Sequence, residues 1–360
     1  MPELVPTPQD ISPDWVSALW QARGLDARVT DIAYEPIGTG QVGATYRFTL
    51  TYAGDCGAAP ATIVGKFPSN DPLSRETGKS HMTYIRESRF YQQFAGTKPL
   101  PVPHHHFIAF DEDSHAFALI MDDLPRHRAG NQLSFPTPDE TKAAIRAAAA
   151  IHAAWWGDPR LDRLEWLNGT KAVPPPLDLE ALYTAFWPAF CDRYGERVTP
   201  SMKQVGDAFF GHINAWATDL GGARCLTHND FRPDNMLYDL SNADQPIVIV
   251  DWQTTGVGHG TGDIAYYMGT ALDSATRRDC EAMLFALYCD ELEAQGVERL
   301  NRGELWDDYR RAAFGGFLMG VTASIVVEQT DRGDAMFLTM CERSAAMVSD
   351  HGQTRIGIST

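Results

Sequence analysis

Two periodicities divide the chain, and their order limits the folds open to it. Up to about residue 124, strand-like runs alternate with turns: DIAYEPIG, ATYRFTLTY, ATIVGKF, then HHHFIAFD and FALIMDDL around a turn at Asp111 to His115. Beyond about Pro125 the spacing becomes helical, as in DETKAAIRAAAAIHAAWW and over roughly Ser274 to Ala294, Arg302 to Val327 and Asp334 to Ser349. One helix, near Glu76 to Phe94, interrupts the strands. The pattern predicts an α+β chain of two lobes. A small antiparallel sheet with one helix occupies 1–121, a larger and mainly helical lobe occupies 122–360, and MDDLP forms a hinge at about 121–125. Residues of about 158–200, with AVPPPLDL and two aromatic-rich stretches, read as a helical insertion.

Composition narrows the partners. A formal charge of -17 disfavours nucleic acid, whose binders gather Lys and Arg on one face. The start MPELVPTPQD lacks a basic segment and an apolar core, and no stretch approaches about 18 uninterrupted apolar residues, so no membrane span and a cytoplasmic location are expected. Six cysteines without a CxxC pair read as reduced thiols. The oligomeric state stays open.

LTHNDFRPDNMLY, Leu226 to Tyr238, crowds polar groups against a strand and is followed by PIVIVDW. The two strands make a hairpin around Ser241 to Gln245. If Asp239 faces Ile247, the register places Asn235 opposite Asp251. An amide oxygen, carboxylate oxygens and phosphate oxygens suit a hard octahedral cation such as magnesium. Asp230, outside that shell, is placed to take a proton from a substrate hydroxyl, a role worth about 100- to 10,000-fold in rate. The same residues elsewhere merely cap turns and helices.

Upstream features favour the chemical reading. Gly38, Gly40 and Gly43 lie between two strands, where a glycine loop covers nucleotide phosphates with backbone amides, although a tight hairpin also uses glycine. Tyr84, Glu87, Tyr91 and Phe94 share one helix face, so Glu87 points at the core and needs a partner. Lys66, at the end of ATIVGKF, is suited to that pairing and to holding phosphates.

Taken together, these residues resemble the protein-kinase-like superfamily, in its aminoglycoside phosphotransferase and choline kinase branch. FALIMDDL, RESRFYQQF, AAIHAAWW, HNDFRPDN and VDWQTTGVGHGTGDIAYYM are most similar to the ecdysteroid-kinase-like group within it. The resemblance implies a two-lobed kinase-like fold and transfer of the terminal phosphoryl group of ATP, or GTP, to a hydroxyl of a small molecule. It implies Asp230 as catalytic base, Asn235 and Asp251 as magnesium ligands, and Lys66 as phosphate anchor braced by Glu87. Met121, Asp122, Asp123 and Leu124 would face the nucleobase, while His228 and Asp263 would support the catalytic loop. Asn229 replaces the usual glycine, and Arg232-Pro233-Asp234 departs from antibiotic kinases, which puts an aminoglycoside acceptor in doubt. A nucleotide-binding pseudokinase, acting as sensor or scaffold, is the alternative that the intact site residues weigh against.

For the acceptor, Trp155, Trp156, Trp166, Tyr183, Phe186, Trp187 and Phe190 allow an ammonium cage, an apolar pocket or ordinary core packing. Glu328, Asp331 and Asp334 read as a solvated loop. Alternation on a strand separates His105 from His104 and His106, so the triple histidine reads as surface residues and not as one metal site.

Overall fold

In the computed structural model, which describes residues 2–38, 42–168, 179–217 and 222–352, the strand-like runs of the first third pair into one antiparallel sheet. Its strands β1 (Val29–Ile37), β2 (Gly43–Tyr52), β3 (Thr62–Pro68), β4 (His105–Phe110) and β5 (Phe117–Asp122) lie in the order β1-β2-β3-β5-β4. Central β3 is buried along nearly its whole length, and its sequence is correspondingly apolar apart from Thr62 and Lys66. Ile63 and Phe67 enter the core beneath α1 (Pro13–Ala22), with Val16, Leu19 and Trp20. Strand alternation sends Lys66 to the other face.

The single helix expected over Glu76 to Phe94 is two, α2 (Pro72–Ser80) and α3 (Thr83–Gln93). Asp71 caps the first by accepting from the Ser74 amide, and Met82, at φ +60°, breaks the path between them. Gly78 allows the return: a Cβ there would stand 2.5 Å from Cζ of Tyr84. Helix α1 was not expected, although Ser12 and Pro13 carry a start signal, with the Ser12 side chain accepting from Trp15 N–H. Val250–Thr254 belong to this unit of Met1–His127, because the buried Trp252 ring stacks on Phe90 of α3 at 3.8 Å and 5°.

The second unit comprises Arg128–Ile249 and Thr255–Thr360. Its helices are α4 (Pro138–Ala154), α5 (Glu165–Asn168), α6 (Leu179–Tyr194), α7 (Pro200–Phe210), α8 (Ile213–Ala217), α9 (Thr261–Ala271), α10 (Ser274–Ala294), α11 (Arg302–Ala312), α12 (Phe314–Val326) and α13 (Asp331–Asp350). The helix expected over Arg302 to Val327 parts into α11 and α12 at Ala313. Strand β6 (Arg128–Ala129) pairs with β8 (Met236–Tyr238), which pairs with β9 (Ile247–Ile249), and β7 (Cys225–Thr227) pairs with β10 (Gly256–Gly258). No helix among the described residues is long and apolar enough to cross a membrane. Gly40 and all but the last residue of AVPPPLDL lie outside the described residues.

The β8–β9 hairpin corrects the expected register by one residue. Tyr238 pairs with Ile247, Met236 with Ile249, and the Asp239 amide donates to Pro246 at 3.0 Å. Two side-chain turns shorten the loop: Asp239 accepts from the Ser241 amide, and Asn242 accepts from the amides of Asp244 and Gln245. The ladder therefore does not pair Asn235 with Asp251.

Candidate active site

In the first unit, Lys66 meets two carboxylates. Its Nζ donates to Glu87 Oε1 at 2.9 Å, lies 2.8 Å from Oε2, and donates to Asp251 Oδ1 at 2.9 Å. Lys66 and Glu87 are 7% and 1% exposed, whereas 34% of the Asp251 side chain meets solvent. Local structure accounts for the meeting. Glu87 shares its helix face with buried Tyr84, Phe90 and Tyr91, and Phe90 carries the Trp252 ring, fastening the residue next to Asp251. Asp251 takes φ +65°, a left-handed conformation that aspartate tolerates. Burial opposes the Lys66 charge, but Asp251 and Glu87 outweigh it and hold the pKa above its ordinary value. Burial pushes the Glu87 carboxyl up, against the pull of Lys66.

The glycines differ in purpose. Gly38 needs glycine's freedom at φ +76°. Gly43 has no such conformation, but a Cβ there would stand 3.1 Å from both Cε of Lys66 and Nε2 of Gln253. Between them, the Val42 carbonyl accepts from the Tyr84 hydroxyl at 2.7 Å, which ties the end of the glycine segment to α3.

In the second unit, the loop after β7 is built around a buried carboxylate. Asp263 of α9 accepts from the amides of His228 at 2.7 Å and Asn229 at 2.8 Å, while His152 Nε2 lies 3.2 Å away. Burial alone would raise the Asp263 pKa, but His152 and the His228 amide hold it below its ordinary value. Asn229 takes φ +63°, which turns the chain so that Asp230 follows. Three side chains surround the Asp230 carboxylate. Arg232 Nε donates to its two oxygens at 2.9 and 3.1 Å, Asn235 Nδ2 to Oδ2 at 2.8 Å, and the Tyr266 hydroxyl to Oδ1 at 2.9 Å.

Asn235 also donates from Nδ2 to the Asp230 carbonyl at 2.8 Å, so its amide nitrogen is committed twice and Oδ1 is the atom suited to a cation. The Asn235 oxygen in the second unit and the part-exposed Asp251 carboxylate in the first are each hard donors, of the kind that suits magnesium better than a softer metal.

Sequence reasoning missed the neighbours that fix this loop. Arg232 also donates to Asp234 at 2.9 Å, and Asp234 in turn accepts from Arg332 of α13 at 3.0 Å and from the Gln132 amide at 2.8 Å. The signal was present in DFRPD, Asp230 to Asp234, a cation flanked by carboxylates two residues away on either side. Tyr266 had no comparable signal; it belongs to an apolar cluster with Met336, Phe337 and Met340. The Asp122 carboxylate lies 2.8 Å from His106 Nε2, and Asp123 accepts from Arg47 at 2.8 and 3.1 Å. Met121 is buried and Leu124 half-buried.

Most of the aromatic residues are packed in the core. Trp155, Trp166, Tyr183, Trp187 and Phe190 are buried, Trp187 stacks on Phe190 at 5.6 Å, and Tyr183 stacks on Phe210 at 5.1 Å. Trp156 and Phe186 are half-buried. Asp334 accepts from Tyr194 and Gln329, while Glu328 and Asp331 are exposed.

Residues 36–314 match a family described as the phosphotransferase enzyme family. No curated protein matches the chain. Among solved structures, it is similar to the GDP complex of aminoglycoside 2'-phosphotransferase-IIIa, with TM-score 0.53 and 15% identity over 93% of this chain and 99% of that one. It is also similar to an ethanolamine kinase of Plasmodium vivax, with TM-score 0.52 and 10% identity over 96% and 84% of the two chains. A microcompartment-associated aminopropanol kinase gives TM-score 0.51 and 14% identity over 95% and 98%. These likenesses establish a shared α+β fold.

Proposed function

Because the chain belongs to the phosphotransferase enzyme family, it is a phosphotransferase, and we propose that it moves the terminal phosphoryl group of ATP or GTP to a hydroxyl of a small-molecule acceptor. The observation that carries this reading is the Asp230 carboxylate, held by Arg232, Asn235 and Tyr266 on a loop whose amides are fixed by Asp263. A base so held keeps one orientation toward an incoming hydroxyl, and orientation is most of what phosphoryl transfer asks of a protein.

The remaining roles follow the same reading. Lys66, kept charged by Glu87 and Asp251, holds nucleotide phosphates, and the amides about Gly38, Gly40 and Gly43 cover them. Met121 to Leu124 face the base, and residues 1–121 form the nucleotide-binding lobe, with the catalytic lobe over 122–360. Asn235 and Asp251 ligate magnesium, which when bound neutralises charge developing on the phosphate oxygens. His228 and Asp263 support the loop. Neighbours that are named ethanolamine and aminopropanol kinases support a small alcohol as acceptor. The closeness of the motifs to ecdysteroid-kinase-like proteins and a cytoplasmic setting, in keeping with six free thiols, belong to the proposal.

The test is magnesium-dependent ADP release against pooled acceptors: amino alcohols, aminoglycosides, sterols and aromatic alcohols. At least one pool should stimulate release by the wild type, and Asp230→Asn should remove that stimulation while retaining nucleotide affinity. Stimulation that survives Asp230→Asn at full rate would remove Asp230 as base. Silence with every pool alongside tight nucleotide binding would favour the pseudokinase.

A further inference from the structure

The triple histidine does not behave as three equivalent surface residues. A register irregularity between His105 and Phe107, opposite Met121 and Ile120, interrupts alternation at His106. His105 turns toward Tyr91, their ring centroids 5.5 Å apart. His104 and His106 instead converge on Asp122 at the end of β5. His106 Nε2 lies 2.8 Å and His104 Nδ1 3.8 Å from the same Asp122 oxygen, and one ligand atom from each residue falls within a 4.8 Å span. His106 is 8% exposed, packed edge-on against Trp20 at 5.0 Å. Among the described residues its Nδ1 has no hydrogen-bond partner, and its Nε2 meets only Asp122.

We propose that His104, His106 and Asp122 form a binding site for a borderline divalent cation of the zinc class. The proposal shares Asp122 with the stretch assigned to the nucleobase but rests on none of the phosphotransfer reading and survives its failure. Two imidazole nitrogens and one carboxylate oxygen suit zinc, with water in the fourth position, whereas magnesium prefers an all-oxygen octahedron. With zinc–ligand bonds of about 2.0–2.1 Å, ligand atoms around a tetrahedral ion stand roughly 3.3 Å apart. The observed 2.8 and 3.8 Å straddle that spacing, so small side-chain rotations suffice.

Arg23 competes for the site. Its guanidinium contacts His104 Nε2 at 3.0 Å and donates to the His106 carbonyl at 3.1 Å. That first contact needs the lone pair on Nε2, but a cation on Nδ1 puts the proton there, so donor would face donor. Arg23 is exposed just past α1 and has room to withdraw.

The test uses the full chain, free of any affinity tag and stripped of metal. Zinc chloride is titrated against a chromogenic chelator in excess magnesium, and cobalt(II) serves as a spectroscopic reporter. The proposal expects one zinc per chain and the visible absorption of tetrahedral cobalt. Zinc affinity should fall at least about tenfold in both His104→Ala and Asp122→Asn, and rise in Arg23→Gln. His104 is exposed, so its removal leaves the core intact, and circular dichroism confirms folding. Absence of stoichiometric uptake, or uptake unchanged by both ligand substitutions as thiol binding would give, overturns the site.

Discussion

Asn229 shows how one residue's backbone sets a reactive group. At φ +63° it occupies a conformation that costs most L-residues about 1–2 kcal/mol, and the Asp263 carboxylate holds it there through the amide. Asn229→Gly should fold as well as the wild type, while Asn229→Val should lose about 1–2 kcal/mol or more in urea denaturation; equal midpoints would show that the loop relaxes freely. Lys66 and Glu87 make a second test. Removing Lys66 strands the buried Glu87 carboxylate and should cost about 3–5 kcal/mol, removing Glu87 should cost less because Lys66 keeps Asp251, and Lys66→Met with Glu87→Leu should recover most of the stability lost with Lys66 without recovering nucleotide binding. If the double variant were as unstable as the sum of the singles, the pair would not be a coupled unit. This pair was legible in the sequence, because a carboxylate on an apolar helix face must be answered. Arg232 and Tyr266 were not, since their part depends on contacts with Asp230 that spacing does not reveal.

At the scale of elements, the turn between α2 and α3 fixes what lies beneath it. Gly78 makes room for Tyr84, and Tyr84 fastens Val42 at the end of the glycine segment. Gly78→Ala should therefore cost about 1–3 kcal/mol through overpacking, and Tyr84→Phe about 0.5–1.5 kcal/mol through its lost hydrogen bond; thermal denaturation reads both. A neutral Gly78→Ala would mean that the two helices separate at little cost. Helix periodicity carried across this break and across Ala313, because apolar spacing persists where the backbone turns and only Met82 and Ala313 mark the corners. The β8–β9 register slipped for a related reason: turns made by Asp239 and Asn242 shorten the loop by one residue, and a ladder counted from the apolar run alone cannot register them. The triple histidine is the converse: alternation already set His104 and His106 on one face, and what spacing could not show was Asp122 of the neighbouring strand between them.

Over the whole molecule, the division of the sequence into strands and then helices was the most legible feature, since periodicity is averaged over long stretches and survives local errors. Its acidity also has a stability consequence. Glu281, in a buried network with Arg277, Tyr309 and His351, is pushed up by burial but held lower overall by those partners, so its folded pKa lies below the ordinary carboxylate value. A depressed carboxyl contributes stability that is present above about pH 4.3 and lost as pH falls through the folded value. Glu281→Gln should shrink the drop in melting temperature between neutral and acid pH; an undiminished drop would place the acid sensitivity elsewhere. The central claim, transfer to an acceptor with Asp230 as base, is tested most directly by incubating the protein with magnesium and ATP labelled with oxygen-18 in the terminal phosphoryl group, then weighing the pooled acceptors by mass spectrometry. The account predicts labelled phosphoryl on one class of alcohol with the wild type and none above background with Asp230→Asn. Label found only in free phosphate, or transferred equally by both proteins, would contradict it.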